Sequence, residues 1–103
     1  METGEGQLTQ LQPIIEELAD CETDAQRADW LLRVPAGIVC RDSSAIRRVL
    51  MEARFTLGVQ AFEVEFAAIN ATRLADGGLP QTVVLGVQAV RSFLRDIVRK
   101  GGV

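Results

Sequence analysis

The chain has 103 residues, 48% of them apolar and 24% charged, with a net charge of −3 and an isoelectric point near 4.9. A single small domain of this size has a large surface for its volume, so an apolar share this high favours self-association. Histidine and tyrosine are absent; this excludes Ser-His and Cys-His nucleophile pairs and imidazole metal ligands, while the acidic balance supplies no global field toward nucleic acid or acidic lipid.

Met1 to Gln7 is acidic and glycine-rich and reads as a flexible tail. It lacks the basic and apolar regions of a signal peptide, and no stretch reaches the roughly twenty apolar residues of a membrane span. The expected location is cytoplasmic, with no membrane contact and with Cys21 and Cys40 reduced, buried and inert. Ten of the eleven basic residues are arginine, which reads as codon bias in a GC-rich, bacterial genome.

Thr9 with Gln12 has the spacing of a capping box, and Pro13 suits a first helical turn. A first helix is expected from Thr9 to Ala19 or Cys21, burying Leu8, Leu11, Ile14 or Ile15, and Leu18. Thr23 with Gln26 repeats the capping box and opens a second helix through Arg33. Ala28, Leu31, Leu32 and Val34 form its inner side, and Trp30 beside them reads as a core residue. Pro35 stops that helix. Ala36 to Arg41 reads equally as a short helical turn or an extended connector.

Asp42, Ser43 and Ser44 are successive N-cap candidates for a long central helix. Ile46, Leu50, Ala53, Leu57, Ala61, Val64, Ala68, Ala71 and Ala75 recur at steps of four and three, the period of one helix face. Phe55, Val59, Phe62, Phe66 and Ile69 form a second stripe on nearly the opposite face. The helix is therefore expected from Ser43 to Ala75, with a break near Thr56 to Gly58 left open. Phe62 to Phe66 alternates as a strand would, but the alanines that follow favour helix.

Asp76, Gly77 and Gly78 close this segment, and Pro80 opens the last helix. Its seam is Val83, Val87, Val90, Leu94 and Ile97, widened by Val84, Phe93 and Val98. Arg95, Arg99 and Lys100 complement the dipole of its far end, and Gly101 and Gly102 terminate it. The expected fold is all-α: one domain, a small bundle of four or five helices around the central helix.

Four constellations bear on function. Pro35 to Gly37 followed by Ser43, Ser44, Arg47 and Arg48 has the order of a helix-turn-helix, with those four residues reaching phosphates or base edges. The connector is longer than that motif's turn of three or four residues. Arg91, Arg95 and Arg99, spaced by four, form a basic stripe that suits an acidic partner, a phosphate backbone or a solvated face. Glu63 and Glu65 project about 200° apart on a helix and cannot share a proton or a metal. Ala61, Val64, Ala68, Ala71 and Ala75 form a small stripe that admits another helix closely, from this chain or from a second copy.

No catalytic, cofactor-binding or metal-binding set emerges. Gly77-Gly78 lacks the lysine and hydroxyl residue of a phosphate loop. The function expected from the sequence is that of a non-enzymatic interaction protein, homodimeric and binding another protein as a bacterial or phage-encoded adaptor, assembly component or inhibitor. The alternative is a DNA-binding regulator that uses the helix beginning at Ser43.

Overall fold

The computed structural model describes residues 13–101, which are 76% helical and contain no strand. The capping box expected at Thr9 and the terminating Gly102 lie outside the described residues. Among the described residues six helices follow in chain order: α1 (Pro13–Ala19), α2 (Asp24–Arg33), α3 (Ala36–Arg41), α4 (Ser43–Glu52), α5 (Thr56–Ile69) and α6 (Gln81–Gly101). The architecture is the all-α bundle that the periodicity predicts.

Helix α2 begins at a complete capping box. Thr23 Oγ1 accepts from the Gln26 amide at 3.2 Å, and Gln26 Oε1 accepts from the Thr23 amide at 3.3 Å. Two amides without helical partners are thereby satisfied together. Of the two readings of Ala36 to Arg41 the helical turn is the one observed, as α3: the Pro35 carbonyl accepts from the Ile38 and Val39 amides at 3.0 and 3.1 Å. Asp42 separates it from α4. Asp42 holds the cap position without a side-chain cap bond, its carboxylate instead taking the Arg41 guanidinium at 2.7 Å, and Ser43 and Ser44 lie within the helix.

The central segment is two helices. Helix α4 stops at Glu52, and the chain turns through Ala53, Arg54 and Phe55, just before the Thr56–Gly58 interval where the sequence allows a break. Phe55 donates its amide to the Leu50 carbonyl at 3.1 Å, and Arg54 donates to that of Met51 at 2.9 Å. This is the six-to-one and five-to-two pattern of a Schellman ending, whose turning residue is left-handed and usually glycine. Arg54 occupies that position, with φ of 60°. Leu50 and Phe55, the apolar pair that accompanies such an ending, are both buried. Gly58, the expected weak point, lies buried inside α5 under the Phe55 ring.

Helix α5 ends at Ile69, short of the expected Ala75. Asn70 stops it by donating its side-chain amide to the Phe66 carbonyl at 2.9 Å. This local bond competes with the helical ladder. Gly77, at φ of 88°, closes a turn with the Leu74 carbonyl at 2.8 Å, and the Asp76 carboxylate receives the Gly78 amide at 2.9 Å.

The core joins Ile15 and Leu18 of α1, Trp30 and Leu31 of α2, Val39 of α3, and Ile46 and Leu50 of α4 to Phe55 and Phe62. Trp30 is buried, and its indole N–H donates to the Ile14 carbonyl at 2.9 Å, tying α2 to α1. A buried indole donor without a partner is costly, so this bond fixes the ring as well as satisfying it. Helix α6 runs antiparallel to α2, with Gly101 by Ala25 and Arg91 by Leu32, and packs on α5 where Gly86 faces Val64. Its only fully buried side chain is Leu94. Phe93, expected to widen the seam, is 43% exposed instead, because it sits about 100° around the helix from Leu94.

Candidate interaction surfaces

The turn between α4 and α5 carries exposed apolar side chains on both of its arms. Met51, in the last turn of α4, is 59% exposed, and Leu57, in the first turn of α5, is 43% exposed. Met51 forms the shared wall of two shallow grooves. One, of about 450 Å³, runs along α4 between Ser44, Arg47, Arg48 and Glu52. The other, of about 390 Å³, lies over the turn between Arg54, Phe55, Thr56 and Val59. A flexible thioether on an otherwise charged rim is an adaptable apolar contact.

The angle of this elbow is held by Arg47. Its guanidinium grips the Glu63 carboxylate with two nitrogens: Nε to Oε2, and Nη2 to Oε1 at 3.1 Å. It also lies over the Phe62 and Phe66 rings, 5.3 and 5.7 Å from their centroids, and the two rings stack 5.9 Å apart. The hydrogen bonds to Glu63 push the Arg47 pKa up from its ordinary value, with the carboxylate's charge acting the same way. A bidentate pair stacked on aromatic faces uses the geometry that arginine has and lysine lacks. Arg47 is thus a brace between α4 and α5.

Among the described residues, Arg48 and Arg54 have no acidic side chain within 4 Å, and both are exposed. Ser44 is exposed and Ser43 half-buried. Of the four residues singled out at the start of this helix, the fold therefore leaves Ser44 and Arg48 facing outward and commits Arg47 internally.

The basic stripe of α6 divides in the same way. Arg91 donates to Glu65 Oε2 and to the Leu32 carbonyl, both at 2.8 Å. It thereby caps one of the last α2 carbonyls, which have no helical partner. Arg99 pairs with Asp96, and Arg95 is exposed. Glu63 and Glu65 hold different arginines, in keeping with their divergent positions on the helix.

The small stripe lies largely inside the chain. Ala61 and Ala68 are buried, and Val64 lies against Gly86 of α6. Ala71 and Ala75 follow the end of α5 and share no helix face with the others. Val64 and Ala68 of the stripe, with Ala67, floor a groove of about 210 Å³ shared with Thr82, Val83 and Gly86.

The cysteines are not both buried: Cys40 is exposed and Cys21 half-buried, each a free thiol. Burial pushes the Cys21 thiol pKa up against the opposing pull of Arg27. Its Sγ donates to the Glu17 carbonyl at 3.3 Å. Among the described residues, no three acidic or cysteine side chains converge as metal ligands, and no helix is long and apolar enough to cross a membrane. Compared with protein-family models, with curated proteins and with solved structures, the chain gives no match.

Proposed function

We propose that this chain is a small, cytoplasmic, non-enzymatic interaction module that works as a homodimer and binds another protein. It would act as an adaptor, assembly component or inhibitor of bacterial or phage origin. The observation that supports this most is the elbow: Met51, 59% exposed, stands between two grooves whose rim carries Arg48 and Arg54, neither with an acidic side chain within 4 Å among the described residues. Exposed apolar side chains rimmed by charge are the composition of a contact site. The elbow suits a segment that brings an apolar side chain to Met51 and carboxylates to the arginines.

The test is affinity capture from the native host with the wild-type chain and with a Met51→Glu, Arg48→Glu variant, read by mass spectrometry. The expected result is a protein retained by the wild type and lost from the variant. Equal retention by both removes the elbow as the site. Nucleic acid in the eluate, released steeply by added salt, favours the DNA-binding regulator instead.

A further inference from the structure

From Gly77 to Val90 the chain carries no Asp, Glu, Lys or Arg, in a protein of which 24% is charged. That run covers the first half of α6, whose exposed side would ordinarily be charged. At about 100° per residue, Thr82, Leu85, Gly86, Ala89 and Phe93 fall within one arc of roughly 100°, turned away from Leu94. Leu85 is 53% exposed, and Thr82 and Ala89 are exposed beside it.

Thr82, Leu85, Gly86 and Ala89 are spaced as the four corners of a hole into which a facing helix inserts a side chain. Gly86 leaves that hole without a Cβ, and the hole opens into the groove floored by Val64, Ala67 and Ala68. Packing within the chain does not require a glycine there. A Cβ at Gly86 would meet only Val64 Cγ1, at an ordinary 3.8 Å. A mid-helix glycine costs stability relative to alanine, so the vacant hole has its use in something from outside.

The same face supplies the complement. Phe93 projects from it one helical turn beyond Ala89, as Leu85 does one turn before. The geometry points to a second copy of this chain as the occupant. Its α6 lies antiparallel across this one, with the two Ala89 residues at the two-fold axis and the partner's Phe93 in the hole beside Leu85. Knob and hole on a single patch satisfy the self-complementarity that a two-fold interface demands.

Charge fixes the direction. Arg95, Asp96, Arg99 and Lys100 all sit at the C-terminal end of α6. A parallel pair would set the basic ends side by side. The antiparallel pair brings Lys100, which has no acidic partner within 4 Å among the described residues, level with the partner's turn that carries Asp76. The face from Gln81 to Asp96 is about 23 Å long at 1.5 Å per residue. One helix face of that length falls short of the roughly 800 Å² per partner of a stable interface. The dimer therefore belongs to the weak, concentration-dependent class.

This inference rests on the homodimeric reading above and specifies its seam. In the full chain with Cys21→Ser and Cys40→Ser, a Thr82→Cys form is mixed with a differently tagged Asp96→Cys form and treated with a short bismaleimide. In the antiparallel pair, positions 82 and 96 face each other, whereas the two copies of position 82 stand about 21 Å apart. The expected product is the 82–96 adduct from the mixture, with little from either form alone. Adding Phe93→Glu, or separately Gly86→Leu, should lower its yield about tenfold, a loss of about 1.4 kcal/mol of association, with helical circular dichroism unchanged. No adduct, equal adducts from single forms, or a yield indifferent to both substitutions overturns the seam. A dimeric mass without the adduct overturns the seam alone; a monomeric mass removes the dimer too, and leaves the elbow to its own test.

Discussion

Two glycines in this chain stand in opposite circumstances. At Gly58 an added Cβ would run into the Phe55 ring, 2.6 Å from Cε2, and Phe55 is itself buried with nowhere to move. At Gly86 the same atom meets nothing closer than 3.8 Å. Gly58→Ala is expected to destabilise the fold by about 1–3 kcal/mol, as overpacking does. Gly86→Ala should stabilise the isolated chain by about 0.5–1 kcal/mol through helix propensity. Urea denaturation of the two variants checks both signs; a similar loss from each would mean that Gly86 is also required by intrachain packing. The sequence marks both as glycines within apolar runs, and the difference arises only from what folds over them.

At the scale of elements, the legible boundaries are those written in side chains near each other in sequence. Thr23 and Gln26 satisfy each other's amides three residues apart, so α2 begins where their spacing says. The place of the α4–α5 break, at Arg54 and not at Gly58, is illegible for the opposite reason. Arg54 resembles any exposed helical arginine, and its left-handed conformation follows from burying Leu50 and Phe55 together. Arg47 misled similarly: its partner, Glu63, is sixteen residues away on another helix, so it read as a solvated or nucleic-acid-facing residue. Phe93 fitted the seam within the tolerance of a helical wheel, yet fell on the outside. Holding arginine in the left-handed region costs about 1–2 kcal/mol, partly offset by the lower entropy of its unfolded chain relative to glycine. Arg54→Gly is therefore expected to raise stability by about 0.5–1 kcal/mol and to weaken retention of the captured protein. Thermal melts and the capture assay read the two effects separately, and a destabilised variant would contradict the strained ending described for α4.

At the scale of the molecule, two of the ten arginines join helix to helix, and apolar side chains stay exposed at the elbow and on α6. Arg47 braces α4 on α5, and Arg91 joins α6 to α5 and to the end of α2. The elbow around Met51 and the uncharged half of α6 remain open. On the proposals above, another protein occupies the first and a second copy of this chain the second. The molecule is proposed to act by contact, beginning with itself. Sedimentation equilibrium of the wild type and of Leu85→Glu, Phe93→Glu, over roughly 1 to 200 μM, the range in which a weak interface associates, tests that claim most directly. The predicted result is a wild-type mass rising from 11.2 kDa toward twice that value, while the variant stays at the lower mass. A wild type that holds the monomer mass throughout would contradict it.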